Sequence, residues 1–132
     1  AAADMVAESK ESAPVIIIFL PENEDHEIGL LLANYIARDL GFKVLYLGQN
    51  VPIENIIEVN ENIGINVLLT MFVTPITKEY HSYFKESFEK IGIPLLISGN
   101  YDISNSPSNF EYIGDPNSLI ERLKLIYERT TN

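Results

Sequence analysis

Residues 22–27, ENEDHE, contain four acidic side chains and His26, one of only two histidines in the chain. An imidazole beside carboxylates suits metal ligation, because a carboxylate that holds one ring nitrogen orients the other toward a metal. Glu24 is the candidate for that supporting role. The same residues are also typical of a helix start, where Asp25 or Asn23 would cap the free amides and His26 would simply be exposed. Local chemistry leaves both interpretations open.

Gly29 follows three residues after His26, in the first turn of the predicted helix. Glycine in a helix costs about 1 kcal/mol relative to alanine. Its presence therefore favours a site where another group approaches the backbone closely. Gly29 also begins a stripe of small residues with Ala33 and Ala37, which would by itself let the helix pack close to a sheet.

The elements that would position these residues are five short apolar runs separated by longer segments, a pattern that indicates parallel strands joined by helices. Strands rich in Val, Ile and Leu are expected where both faces of a parallel sheet are buried. The runs cover residues 15–20, 43–48, 65–72, 93–98 and 110–114. We therefore predict an α/β flavodoxin-like, Rossmann-type three-layer sandwich with a five-stranded parallel sheet in the order 2-1-3-4-5. Its ligands would bind at the carboxyl ends of the strands.

Helical spacing predicts a first helix over about residues 26–40. The residues that recur at this spacing are Ile28, Leu31, Leu32, Tyr35, Ile36 and Leu40, and Gly41 follows as a C-terminal stop. Asp115 and Pro116 are typical of the start of the last helix, since they supply a cap and a first-turn proline. Residues 98–109 are polar and predict a long loop, in which Tyr101 and Asp102 are candidates for covering a ligand.

Composition bounds the remaining possibilities. The 132 residues suit one domain, and the absence of cysteine excludes disulfides, thiolate metal sites and cysteine nucleophiles. The formal net charge of -10 disfavours direct binding to nucleic acid or to anionic membranes. We expect a cytoplasmic protein in which residues 1–13 are a linker or the end of a truncated upstream segment and residues 14–132 form the domain.

Several catalytic motifs are missing from the sequence. No glycine-rich dinucleotide fingerprint, P-loop lysine or G-x-S-x-G elbow is present. A phospho-acceptor receiver domain would share the fold, but the third strand ends in LLTMFVT without an aspartate. The fifth strand, FEYIGDP, lacks a lysine. The sequence therefore disfavours these nucleotide-binding and hydrolase sites and a receiver domain.

Glu24-x-His26-x-x-Gly29 resembles the Asp-x-His-x-x-Gly signature of cobalamin-binding domains, with glutamate in place of aspartate. The stretch 25–56 looks most like the cobalamin-binding domain of MerR-type bacterial transcriptional regulators, which include light-sensing repressors of carotenoid synthesis. The resemblance covers roughly residues 14–129 and is densest over 22–57.

The resemblance implies a set of cofactor-binding residues. His26 would be the lower ligand of the cobalt in cobalamin, and Glu24 would orient it. Thr70-Met71-Phe72 falls near the position of the Ser-x-Leu motif, so that Thr70 would contact the displaced base region and Phe72 would replace the leucine. Ser98-Gly99 corresponds to the Gly-Gly motif beside the nucleotide tail and retains only one of its glycines.

The function implied is a ligand-sensing, non-enzymatic domain of a MerR-type regulator. It would form homo-oligomers within the full-length regulator, and DNA would be bound only through an N-terminal helix-turn-helix domain that this sequence does not contain. No membrane partner is expected. Two alternatives are a corrinoid-carrying subunit of a methyltransferase or mutase, and a degenerate cobalamin-binding fold that is used only for oligomerisation.

Overall fold

The computed structural model describes residues 12–131, so residues 1–11 of the predicted linker lie outside the described part. Along the chain the elements are β1 (Val15–Pro21), α1 (Ile28–Asp39), β2 (Lys43–Val51), α2 (Ile53–Asn62), β3 (Val67–Phe72), α3 (Lys78–Ile91), β4 (Leu95–Gly99), β5 (Phe110–Tyr112) and α4 (Pro116–Thr131). No helix among residues 12–131 is long and apolar enough to cross a membrane.

The sheet has five strands in the order β2-β1-β3-β4-β5, and every neighbouring pair is parallel. The predicted α/β flavodoxin-like fold and strand order are thereby confirmed. Since all strands point the same way, their carboxyl ends share one edge of the sheet. The loops after β1, β3 and β4 meet there.

Two apolar layers cover the two faces of the sheet. Alternation along β1 sends Ile16 and Ile18 into the layer beneath α1 and α4, while Ile17 and Phe19 face α2 and α3. The second layer contains the larger aromatic side chains, such as Phe84 and Phe88. Most of the buried aromatic rings therefore lie on the α2–α3 side of the sheet, although Phe42 is buried on the other side.

The first helix predicted over about residues 26–40 is present as α1, but most of the bulky residues whose spacing predicted it are not buried. The helix buries Leu30, Ala33, Ile36 and Ala37. Four of the bulky residues are exposed, by 87% at Ile28, 51% at Leu31, 49% at Leu32 and 44% at Tyr35. The reason is steric: the small residues let α1 lie close to the sheet, and that contact fixes the helix orientation in place of the larger side chains.

Helix ends agree with the sequence at α4 and differ at α1. The Asp115 carboxylate accepts a hydrogen bond from the Ser118 amide at 2.8 Å, which confirms the predicted cap. At α1 the N-cap is Glu27, and its side chain makes no capping hydrogen bond. The alternative that Asn23 or Asp25 caps this helix is wrong, because the chain stays in the loop until residue 27. His26 therefore precedes the helix.

Candidate functional site

The β1–α1 loop is fixed to the end of β2 by two asparagines. Asn23 and Asn50 both adopt left-handed backbone conformations, with φ of 68° and 57°, which asparagine tolerates better than most residues. The Asn23 amide donates to the Asn50 side-chain oxygen at 3.0 Å. The Asn50 amide in turn donates to the Glu24 carbonyl at 3.1 Å. The loop that carries His26 therefore has a defined path.

Glu24 joins this loop to the β3–α3 loop. Its side chain is only 1% exposed. One carboxylate oxygen accepts the Thr74 amide at 2.8 Å and also the Thr74 hydroxyl, while the other accepts the Val73 amide at 3.2 Å. These bonds satisfy the buried charge, as a buried carboxylate requires. The expected contact between Glu24 and His26 is not found, because both carboxylate oxygens are used by the neighbouring loop.

His26 lies at the surface of the same loop. Its side chain is 59% exposed, and Nδ1 lies 3.3 Å from a carboxylate oxygen of Asp25. The carboxylate beside the imidazole therefore belongs to Asp25, whereas the sequence predicted that Glu24 would fill this role. A carboxylate at Nδ1 favours the tautomer with the proton on Nδ1, in which the lone pair of Nε2 is available to bind a metal.

A pocket of about 210 Å³ lies between α1 and α4, above β3 and β4, and we call it the α1–α4 pocket. Its lining is largely aliphatic. It consists of Gly29, Leu32, Ala33, Ile36, Leu69, Thr70, Met71, Leu96, Ile97, Ser98, Ile113, Gly114, Asp115, Pro116 and Leu119. Three of the predicted cofactor-binding residues, Gly29, Thr70 and Ser98, therefore meet at one pocket although they come from three different elements.

The Thr70 hydroxyl does not point freely into this pocket. It donates to the Phe19 carbonyl at 2.8 Å, and the residue is fully buried. Alternation along β3 puts Thr70 on the same face as Leu68 and Phe72, toward α2 and α3. The β3 side chains that face the α1–α4 pocket are instead Leu69 and Met71, which pack in the opposite layer.

Phe72 and Gly99 do not line the α1–α4 pocket. The Phe72 ring packs in the opposite layer, with centroids 5.2 Å from both Phe84 and Tyr101. Gly99 has a φ of +84°, and a Cβ there would lie 2.2 Å from the Phe72 carbonyl oxygen. The predicted cofactor contact of Phe72 conflicts with the side its ring occupies. Gly99 is explained by the close approach of two strand ends.

Sequence reasoning missed Met71 and the contribution of α4. Met71 pairs in register with Ser98, and both line the α1–α4 pocket. The available signal was the two-residue alternation from Leu69 to Met71, which gives them one face. Which face that is depends on the packing of α1 and α4, so the alternation alone does not identify them.

The long loop after β4 borders a second, more open concavity of about 460 Å³, which includes Lys78, His81 and Asp102. Tyr101 is 9% exposed, and burial raises the pKa of its hydroxyl. Hydrogen bonds from Ser104 lower the pKa of Asp102. Tyr101 therefore serves the aromatic layer, and the loop is held by its own contacts.

Among residues 12–131, no three histidine, aspartate or glutamate side chains converge as a metal site. A metal held chiefly by protein side chains is therefore not supported in the described part of the chain.

No protein-family model matches the sequence, and no curated protein matches it. Solved structures do share its fold. A chain of the methanol:cobalamin methyltransferase complex MtaBC from Methanosarcina barkeri matches with a TM-score of 0.74 and 19% identity, over 98% of this chain and 50% of that chain.

Two further matches are of the same kind. The monomethylamine corrinoid protein of Methanosarcina barkeri has a TM-score of 0.69 and 17% identity, over 88% of this chain and 58% of that chain. A cobalamin-binding protein from Desulfitobacterium hafniense DCB-2 has a TM-score of 0.66 and 16% identity, over 91% and 60%. These three structures are of corrinoid or cobalamin proteins, and this chain spans 50–60% of their lengths. A lysine decarboxylase from Francisella novicida also shares the fold, with a TM-score of 0.58 and 14% identity over 94% of this chain and 18% of that chain. At such identities the likeness shows the fold alone.

Proposed function

We propose that this chain binds cobalamin at the carboxyl edge of its sheet. The observation that carries the proposal is the α1–α4 pocket, where Gly29 and Ser98 come together beside the loop that bears His26. Gly29 and Ser98 correspond to separate parts of the cobalamin-binding signature that the sequence resembles. Their convergence on one apolar pocket supports a common ligand, whereas the Thr70 side chain faces the other layer and is held by the Phe19 carbonyl.

The pocket suits the aromatic base of a nucleotide tail. An apolar cavity of about 150 Å³ is enough to hold benzene, and this pocket measures about 210 Å³. Its walls are aliphatic, and Ser98 offers a hydroxyl for a polar atom of the tail. Gly29 leaves no side chain of its own in the space between α1 and β3. The residues that line the pocket therefore fit the nucleotide tail of cobalamin.

The roles of the individual residues follow from their positions. His26 would provide the protein ligand to cobalt, with Asp25 beside its Nδ1. Glu24 would keep the loop in place through Val73 and Thr74 rather than by touching the imidazole. When bound, cobalamin supplies the reactive cobalt centre, and the protein supplies binding and orientation.

The finer proposal is a sensory domain of a MerR-type regulator that binds rather than catalyses. It rests on the sequence resemblance, which is densest over residues 22–57. The net charge of -10 requires that DNA be bound by another domain. Sensing further requires that cobalamin bind two association states with different affinities.

The alternative is a corrinoid-carrying subunit of a methyltransferase. It is favoured by two structural neighbours, a corrinoid protein and a chain of a methyltransferase complex. Size-exclusion chromatography with light scattering, with and without hydroxocobalamin, separates the two roles. A sensor predicts a change in self-association on binding, whereas a carrier predicts binding without such a change.

The first experiment is a binding test with hydroxocobalamin in dim light. Free ligand is removed and the visible spectrum of the protein is recorded for wild type, His26→Ala and His81→Ala. We expect wild type and His81→Ala to retain colour with the same spectrum, and His26→Ala to give a different spectrum or none. A colourless wild type contradicts cobalamin binding and favours a fold that is used only for association.

A further inference from the structure

The thioether of Met71 rests directly on Gly29. A Cβ built on Gly29 would lie 2.7 Å from Met71 Cε and 2.8 Å from Sδ. Real Cβ atoms do not approach other atoms so closely, so Met71 occupies the space that glycine leaves open. The close approach that the sequence predicted at Gly29 is therefore made, in this structure, by a side chain of the protein itself.

This contact lies at the entrance of the α1–α4 pocket. Met71 is one residue from the carboxyl end of β3, and its register partner Ser98 is one residue from the end of β4. Leu69 and Leu96 line the same pocket two residues further from that edge. A group that enters over the ends of β3 and β4 would therefore contact Met71 before it reaches the aliphatic interior.

Met71 is well suited to move aside. It is only partly buried, and methionine has three rotatable side-chain bonds and a polarizable sulfur that packs in several arrangements. Neither Ser98 nor Gly29 has a side chain long enough to block the opening. Among the pocket residues at the ends of β3 and β4, Met71 is therefore the one with a long, flexible side chain.

We propose that Met71 determines, at the entrance of the α1–α4 pocket, how well corrinoids with a nucleotide tail bind relative to corrinoids without one. The proposal rests on the proposed function. A tail that occupies the pocket displaces the Met71 thioether from Gly29. A corrinoid without the tail leaves that contact intact, so its affinity does not depend on residue 71.

The test uses the 132-residue chain with Met71→Ala, Met71→Phe and the control Leu125→Ala. Leu125 is 45% exposed on α4 and does not line the pocket. Dissociation constants are measured by visible absorbance for hydroxocobalamin and for cobinamide, which has the corrin ring but lacks the nucleotide tail. Thermal unfolding of each variant reports whether it is folded.

We expect Met71→Ala to raise the affinity for cobalamin relative to cobinamide by about two- to tenfold, the range that corresponds to forcing one side chain off its preferred rotamer. Met71→Phe should lower the same ratio, and Leu125→Ala should leave it unchanged. If Met71→Phe does not fold, the alanine variant alone decides. The same ratio in wild type and Met71→Ala overturns the proposal while leaving cobalamin binding intact.

A separate probe keeps the role of Met71 testable if neither corrinoid binds. Free dimethylbenzimidazole is titrated into each variant, and NMR shifts of the pocket residues are followed. Stronger binding to Met71→Ala than to wild type and Leu125→Ala supports control by Met71 even where the proposed function fails. Equal binding to all variants, or binding to none, overturns it.

Discussion

Glu24 provides the strongest test of how the site is held together. Its buried carboxylate accepts two backbone amides and one hydroxyl from Val73 and Thr74, which lie about fifty residues away along the chain. Glu24→Ala removes all three acceptor contacts at once. Glu24→Gln keeps the size of the side chain but sets an amide donor opposite the Val73 amide. Glu22→Ala removes a carboxylate from the same loop and is the matched control.

The magnitude follows from the hydrogen bonds. Each bond to a charged group contributes about 1.5–3 kcal/mol, but water can replace part of this near the surface. We therefore expect Glu24→Ala to lower the free energy of unfolding by about 3 kcal/mol and Glu24→Gln by about 1 kcal/mol. Against a typical total of about 5–15 kcal/mol, the first loss is large.

Urea unfolding monitored by circular dichroism measures these differences, and hydrogen exchange at Val73 and Thr74 locates them. Both amides should exchange faster in Glu24→Ala before the protein unfolds globally. Glu22→Ala should match wild type in both measurements. If Glu24→Ala and Glu22→Ala have equal stability, the carboxylate does not connect the two loops as we infer.

Two further predictions concern the core around the site. Gly99→Ala should destabilise the fold by about 3 kcal/mol or more, since its φ of +84° and the 2.2 Å distance from a built Cβ to the Phe72 carbonyl oxygen leave no room for a side chain. Urea unfolding measures the loss, and the control is Gly64→Ala, where a Cβ would meet nothing within 4 Å. Equal losses of stability in the two variants would refute the steric argument. Burial, followed by the nearby charge of Glu22, raises the pKa of Tyr80 from 10.0 to about 12. The folded state therefore holds this proton more tightly, and the associated stability, complete below about pH 10, is lost as pH rises toward about 12. Tyr80→Phe should accordingly shift the alkaline unfolding midpoint upward, as followed by tyrosinate absorbance and circular dichroism, and an unchanged midpoint would contradict this.

The sequence by itself determined the elements and their type. Runs of Val, Ile and Leu separated by segments of helical period require a parallel sheet with both faces covered, and the structure has that sheet in the predicted order. The helix cap formed by Asp115 could also be predicted from the sequence, because its hydrogen-bond partner Ser118 lies only three residues away. Local signals of this kind depend on spacing along the chain, which the sequence contains directly.

The tertiary structure decided which side chains meet at the site. Alternation on β3 shows that Thr70 and Met71 face opposite sides, but only the packing of α1 and α4 shows that Met71 faces the pocket. The partner of Glu24 was equally hidden, since Thr74 comes near it only when β1 and β3 pair in the sheet. Small residues set the orientation of α1 because close packing against the sheet outweighs burial of its larger side chains. Contacts between distant segments arise from strand order and helix orientation together, and neither is encoded in the spacing of any single motif.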